Sequence, residues 1–461
     1  MRKIVRIVGL VAGLMAAPAM APAETLADAL VAAYKTSHLL DQNQALLRAA
    51  DEDAAIAVAK LRPVVDFVAQ GGWVKYNNDA PTASLPTANF DTFSSSMSVT
   101  ASVVIWAGGR GKLQTEAAKE SVLATRSALV QVEQQVLLQA VSAYVNLGLA
   151  QEIVGLRESN VRVITRELRA AKDRFDVGEI TQTDVSQAEA ALAAAQANLA
   201  AAQGQLMVAR EAYKAAIGHY PARLSGLPKT PALPKSLDEA KQVARRGHPS
   251  IIQVQHQVKA AEHGVSIAKT LFGPTVSGSA GVNQNLDSGL GNFSVGIQLN
   301  QTLYAGGANA ATYRQALANK DAASAGLMQT TVSVEQNVGI AWASMAVANA
   351  SIDASRKQIA AAQRAFDGVR EEATLGARTT LDVLNAEQDL LSARASRLEA
   401  EANRYIGIYN VLASMGLLTA EHLKLGVPGY DPEAYYNAVK KAPAHSKQGK
   451  ALDRILKTIG D

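Results

Sequence analysis

Side chains able to make or break bonds are few in this sequence, and no motif groups them. There is no cysteine, which removes disulfides, thiolate catalysis, cysteine metal sites and a lipid-anchor cysteine. His256 and His263 stand seven apart on a stretch read as helix. That separation is roughly 10 Å, too far to share a metal ion, so both read as surface residues. Gly108-Gly109-Arg110-Gly111-Lys112 superficially suggests a phosphate loop, but Trp106 occupies the first glycine position and Leu113 the Ser/Thr position. It reads as a strand-to-helix bend with a basic pair beside it. No Ser/His/Asp grouping and no close carboxylate pair is set by any motif, so the sequence indicates no catalytic residue, no metal and no cofactor: not an enzyme. The remaining chemistry is electrostatic and lies in two turns, Val177-Gly178-Glu179-Ile180-Thr181-Gln182-Thr183-Asp184-Val185 and Leu375-Gly376-Ala377-Arg378-Thr379-Thr380-Leu381-Asp382-Val383-Leu384-Asn385. Asp184 and Asp382 both suit helix starts, where a short acidic side chain accepts otherwise unpaired backbone N–H groups.

Those two turns are copies. Val177-Gly178 and Asp184-Val185 return as Leu375-Gly376 and Asp382-Val383, 198 residues later. Trp106-Ala107-Gly108-Gly109 returns as Tyr304-Ala305-Gly306-Gly307, Ala188-Glu189 as Ala386-Glu387 and Ile217-Gly218 as Met415-Gly416, all at the same offset of 198. Loops tolerate insertions, so a register kept over such a distance points to long helices. The chain of 461 residues is therefore read as one architecture made of two similar halves.

Composition narrows the class. With 45 basic and 41 acidic side chains, a nucleic-acid partner has little support, and aromatic residues at 5% suit close helix packing better than a large aromatic core. Arg2, Lys3 and Arg6, the apolar run Ile7 to Met15 and the small residues Ala21-Pro22-Ala23 read as a signal peptide over 1–23, with the mature chain starting at Glu24. No later run reaches the roughly 20 apolar residues a membrane helix needs, so a membrane crossing would have to use strands.

Helical spacing predicts a helix over 24–61, ended near Pro63. Alternation predicts strands over 64–77 and 94–106, joined by a Pro/Thr/Asn-rich loop, and again over 275–283 and 293–303. Met97, Val99, Ala101, Val103 and Ile105 alternate with Ser96, Ser98, Thr100 and Ser102, the pattern of outer-membrane barrel strands. Four strands cannot close a barrel, and an open edge is not tolerated in lipid, so the barrel must be shared between chains. Long helices are expected over 110–174 and 308–372, returning over 184–217 and 382–415, with 237–270 helical before the second strand pair. A stretch of ~65 helical residues would reach roughly 100 Å. The fold class is mainly α with β: a long α-helical coiled-coil barrel plus four strands per chain toward a shared transmembrane β-barrel, with an internal two-fold repeat. The domains are the signal peptide, a first repeat over 24–218, a Pro-rich linker over 219–236, a second repeat over 237–418, and a C-terminal segment and loose tail over 419–461. The alanine run at 190–202, with Leu192 and Leu199 seven apart, reads as close coiled-coil packing.

The paired aromatic-Ala-Gly-Gly junctions, the two turn motifs, their order and their duplication resemble the TolC family of outer-membrane channel proteins over nearly all of the mature sequence. The resemblance implies a homotrimer in outer-membrane lipid whose twelve strands close one barrel, with a helical tunnel through the periplasm. It implies a passive exit duct for a tripartite pump, serving efflux of toxic compounds, type I protein secretion or both, and opened by a periplasmic adaptor and an inner-membrane pump. Asp184 and Arg378, with Thr183 beside them, match the positions that constrict the tunnel tip. Asp382 matches an acidic ring at the entrance, which in a narrow pore attracts cations and repels anions. Gly178 and Gly376, flanked by Val177 and Leu375, match the adaptor contacts. Asn385 stands where the best-known members carry a second acidic residue, and Ala373 where they carry a tyrosine of the closing network, implying weaker cation selectivity and a looser latch. The rivals are a soluble periplasmic coiled-coil adaptor, which predicts no lipid-facing strands, and a structural fibre, which leaves the strand pairs unexplained.

Overall fold

The computed structural model describes residues 23–76, 90–221, 223–287, 289–441 and 454. The expected signal peptide through residue 22, the loop joining the first strand pair and most of the expected tail beyond 441 lie outside the described residues. In chain order the elements are α1 (Leu26–Thr36), α2 (His38–Ala59), β1 (Val64–Tyr76), β2 (Phe90–Trp106), α3 (Arg110–Asp176), α4 (Gln182–Ile217), α5 (Leu237–Gly247), α6 (Pro249–Lys269), a 3₁₀ turn (Thr270–Phe272), β3 (Thr275–Asn285), β4 (Gly291–Asn300), α7 (Ala308–Thr374), α8 (Thr380–Ser414) and α9 (Pro432–Val439). The fold is mostly helical with one antiparallel sheet, and α3 and α7 are 67 residues each.

Two expected helices are each broken once. The helix over 24–61 stops at Thr36 because Ser37 is extended (φ −74°, ψ 102°) and its hydroxyl accepts the Leu40 N–H at 3.3 Å, starting a new helix. The helix over 237–270 breaks at His248 (φ −67°, ψ 127°), whose Nδ1 accepts the Ser250 N–H at 3.1 Å, with Pro249 at the first helical position of α6. Strand β4 ends at Asn300, short of the expected 303.

The chain divides into two compact units. Among the described residues, the first holds those through Thr36, Gln139–Pro231 and Val347–Ile406. Its core is helical and built largely from small residues: Ala171, Ala188 and Ala195 are buried with Ile164 and Leu384, and Leu192 packs against them. Ala188 and Ala195 are seven apart, the spacing that keeps one helix seam facing its neighbour. A second cluster joins Phe366, Ala373, Val383 and Leu390. In the proline-rich connector, Glu24 bridges to Leu224 in parallel, and the Ser225 N–H donates to the Glu24 carbonyl at 2.8 Å. The Tyr144 hydroxyl, fully buried with its ring, donates to the Ser225 carbonyl at 2.7 Å.

The second unit holds the described residues of Ser37–Leu138, of Ala232–Ala346 and from Gly407 onward, and contains the sheet, in the order β1-β2-β3-β4. The pairing sorts side chains by face. Phe67, Val99, Val282 and Phe293 form one cross-strand row, and Val65, Ala101, Ala280 and Val295 form the next on that face. Between them, on the opposite face, run Asp66, Thr100, Gly281 and Ser294. Successive residues of a strand point to opposite faces, so the clean alternation in sequence becomes one apolar and one polar surface. Outer strands β1 and β4 are each paired on one side only.

In the same unit α9 packs beside α2 and α3. Leu47, Ala54 and Val122 are buried with Tyr430 and Tyr436 against them, and the Tyr435 hydroxyl donates to the Glu52 carboxylate at 2.7 Å. Asp51 is fully buried there, and neither of its oxygens has a hydrogen-bond partner among the described residues. Burial pushes its carboxyl up to about 6, against the pull of nearby Arg126.

That shift fixes a pH dependence. The folded-state value lies above the ordinary 3.8, so the folded form binds the extra proton. The associated stability is fully present below about pH 4 and is lost as pH rises through about 6. Asp51→Asn removes the ionisation penalty: relative to wild type it stabilises the chain by up to about 3 kcal/mol at pH 8, and by little at pH 4. Chemical denaturation of both proteins at the two pH values reads this difference; an equal effect at both contradicts it.

Candidate functional site

The two turns named from sequence both lie in the first unit and share one construction. In the first, α3 ends with Gly178 in the left-handed region (φ +80°). The Gly178 N–H donates to the Phe175 carbonyl at 2.8 Å and the Glu179 N–H to the Arg174 carbonyl at 2.9 Å. In the second, α7 ends with Gly376 at φ +77°. There the Gly376 N–H donates to the Ala373 carbonyl at 3.2 Å and the Ala377 N–H to the Glu372 carbonyl at 2.9 Å. This double bond pattern satisfies the last carbonyls of each helix, and glycine is the residue that adopts the required φ without strain.

The helix that follows is started the same way in both copies. The Thr181 N–H and hydroxyl donate to one Asp184 carboxylate oxygen at 3.0 and 2.7 Å. The Thr379 N–H and hydroxyl donate to one Asp382 oxygen at 2.9 and 2.8 Å, and the Asp382 N–H donates back to the Thr379 hydroxyl at 3.2 Å. Hydrogen bonds to Thr181 hold the Asp184 carboxyl below its ordinary range, the side-chain bond contributing most. Those to Thr379, the backbone bond first, do the same for Asp382. Both carboxylates are therefore ionised caps.

The copies differ in their ion pairs, and the polarity is reversed. In the first turn Arg174, on the end of α3, pairs with Glu179 in the turn at 3.1 Å. In the second, Glu372, on the end of α7, pairs with Arg378 in the turn at 2.8 Å. Positions 174 and 372 are equivalent by the 198-residue offset, so arginine in one copy stands where glutamate stands in the other. Glu372 raises the Arg378 guanidinium above its ordinary value, with Asp382 adding to it. Asp184 and Arg378 are not brought together within the chain. A position-by-position comparison of the repeats exposes Glu372 and Arg174, which no motif marks.

The remaining site residues sort by exposure. Val177 and Leu375 are 72% and 81% exposed, unusual for large apolar side chains. Thr183 and Asn385 are exposed, and Ala373 is buried against Phe366 and Val383. One turn further from the tip, the buried Glu387 carboxylate accepts from the Asn160 side-chain amide at 3.3 Å, and burial pushes its carboxyl upward. A cavity of about 630 Å³ in this unit is lined by Glu152, Arg356, Arg394 and Arg397 among others.

No cluster of His, Cys, Asp and Glu side chains able to hold a metal ion occurs among the described residues. His256 is not the free surface residue its spacing suggested: it is 18% exposed, with its Nδ1 2.7 Å from a Glu120 carboxylate oxygen. No helix among the described residues is long and apolar enough to cross a membrane.

Comparison with known proteins bears on the same features. The family described as Outer membrane efflux protein matches residues 29–219 and 241–417, two stretches separated by the proline-rich connector. The outer membrane efflux protein BepC of Brucella suis biovar 1 (strain 1330) is 34% identical over 421 residues, covering 90% of each chain. The outer membrane protein TolC of Escherichia coli (strain K12) is 26% identical over 423 residues, covering 86% of this chain and 84% of TolC. The crystal structure of the Campylobacter jejuni CmeC outer membrane channel shares the fold with a TM-score of 0.76 at 17% identity, covering 91% of this chain and 90% of CmeC. With four-fifths of its length matched by the family and a shared mostly helical, four-stranded fold, the chain belongs to the outer membrane efflux protein family.

Proposed function

We propose that this chain forms a trimeric outer-membrane channel-tunnel, the passive exit duct of a tripartite pump, carrying small toxic compounds, unfolded protein or both. The observation that carries the reading is the sheet. It has one apolar face and two outer strands whose backbone groups are unpaired on one side. An apolar face of this kind suits lipid, where unpaired edges are not tolerated; copies joined edge to edge satisfy both demands at once. Val295 and Ile297 on β4 are 69% and 76% exposed, which leaves them free to face lipid. Met328 and Val332 on α7, four residues apart and so on one helix face, are also large, apolar and exposed, which suits a neighbouring copy. A soluble adaptor would have no use for such a sheet.

At the periplasmic end, the turns at Gly178 and Gly376 form the gate and the docking point. Exposed Val177 and Leu375 meet the adaptor, whose docking together with the inner-membrane pump opens the tip. Arg378 and Asp184 have other partners within the chain, so the constricting contact is one between copies, in competition with Glu372. Asp382 supplies a ring of charge at the entrance, with the uncharged Asn385 beside it.

Single-channel current in a planar bilayer tests the gate. Wild type is expected to show small, cation-biased conductance that rises several-fold in Asp184→Ala/Arg378→Ser. Unchanged conductance removes the ion-pair gate and keeps the channel; a folded protein that never inserts overturns the channel in favour of a soluble adaptor. The sheet is tested separately. Val295→Lys, at mid-strand on the apolar face, costs about 2–4 kcal/mol if that position lies at the bilayer midplane, and prevents assembly in outer-membrane fractions. Ser294→Lys, one residue away on the polar face, leaves assembly intact and alters conductance. Equal tolerance of both substitutions contradicts the assignment of faces.

A further inference from the structure

We propose that the first strand-to-helix elbow is a binding site for the phosphate-bearing headgroup of an anionic phospholipid, an inference that rests on the outer-membrane reading above. A cavity of about 300 Å³ lies at the end of β2 and the start of α3, in the second unit, and Lys60, Arg110 and Lys112 line it beside Leu61, Ile105 and Trp106. Among the described residues, no acidic side chain lines it. The Arg110 guanidinium is held in place, its Nε donating to the Thr270 hydroxyl at 2.9 Å. The Lys60 and Lys112 side chains are exposed, and no hydrogen bond or ion pair of theirs is formed among the described residues.

The duplication supplies an internal control. Both elbows turn on two left-handed glycines, Gly108 and Gly109 at φ +60° and +80° in the first, Gly306 and Gly307 at +59° and +85° in the second. Where the first continues Arg110-Gly111-Lys112, the second continues Ala308-Asn309-Ala310, and Asn309 makes the tie to the 3₁₀ turn by donating to the Leu271 carbonyl at 3.2 Å. The residue after the preceding helix is Lys60 in the first copy and Thr270 in the second. The bend therefore forms without any cation, and the cations at the first elbow are an addition to it.

Their surroundings indicate the class of ligand. Ile105 and Trp106 are 58% and 49% exposed and sit where the sheet, with its apolar face, gives way to a helix rich in polar residues. An apolar wall beside a cluster of cations, with an aromatic ring at the boundary, complements a lipid: acyl chain against Ile105 and Trp106, phosphate between the two ammonium groups and Arg110. A free phosphate would use the cations and leave the apolar wall without purpose.

The test uses the full chain purified in a mild detergent and titrated with phosphatidylglycerol, phosphatidylcholine or inorganic phosphate, with bound lipid read by native mass spectrometry. Phosphatidylglycerol is expected to bind more tightly than phosphatidylcholine and to resist displacement by millimolar inorganic phosphate. Lys60→Gln/Lys112→Gln should weaken its binding about 25-fold, at about fivefold per lysine near a membrane surface. The charge-matched pair Lys229→Gln/Lys357→Gln, elsewhere on the surface, should leave it unchanged. Two results overturn the lipid site while the channel stands: equal retention by the elbow double variant, or ready displacement of phosphatidylglycerol by inorganic phosphate. A wild type that needs no detergent and conducts no current overturns the channel reading, and the lipid site with it.

Discussion

The unpaired edges of one small sheet govern the rest of this molecule. Each backbone N–H and C=O on the outer side of β1 and β4 must find a partner or water. The apolar rows from Phe67 to Phe293 and from Val65 to Val295 make water the wrong surroundings for one whole face. The four strands among the described residues cannot solve this alone, because four strands are too few to curve back on themselves. Helices could not substitute, since none among the described residues is apolar over the required length. The edge-to-edge association proposed above would answer that constraint, and the exposed apolar Met328 and Val332 on α7 would offer it a second surface.

Duplication explains how one sequence reaches such an arrangement with few kinds of part. Each half supplies two strands, a glycine elbow, one 67-residue helix, a glycine-ended tip and a capped return helix. Parts that carry geometry are the same in both halves: the left-handed glycines, the Thr-x-x-Asp caps and the alanine pairs Ala188/Ala386 and Ala195/Ala393. Several of the charges are not. Arg174 and Glu372 are opposite in sign at equivalent positions, and Arg110 and Lys112 have alanines as counterparts. Geometry constrained both copies equally, while charge was free to diverge where each copy meets different surroundings.

Much of this was legible in the sequence, and the failures share a physical cause. Strand faces were readable because period-two alternation survives in the pairing register. Long helices were readable because the repeat keeps its register over both of them. The breaks at Ser37 and His248 were not, because a single side-chain cap interrupts the backbone without interrupting the apolar spacing on either side. Local ion pairs at the tips escaped for a related reason. Glu372 lies six residues before Arg378, on the preceding helix, and only the fold of the turn brings the two to 2.8 Å. His256 was misjudged because its partner Glu120 is 136 residues away in sequence.

The division of labour at the tip bears on how such a duct could open. Asp184 and Asp382 each accept the N–H and hydroxyl of a threonine three residues earlier, so the starts of α4 and α8 are fixed by bonds within one turn. The left-handed glycines fix the ends of α3 and α7 in the same local way. Away from the turns, buried alanines hold neighbouring helices close. The caps and the glycine turns need not break for the tip to move. The contacts left to change include the pair that joins α7 to α3, Arg370 with Glu167 at 3.4 Å, together with the ion pairs of Arg174 and Arg378, and exposed pairs are the least costly of the interactions present to exchange. A helical hairpin can therefore swing as a rigid piece while its charges trade partners, provided its caps stay intact. Melting the turns would be the costlier route, since it would free the last carbonyls of one helix and the first N–H groups of the next together.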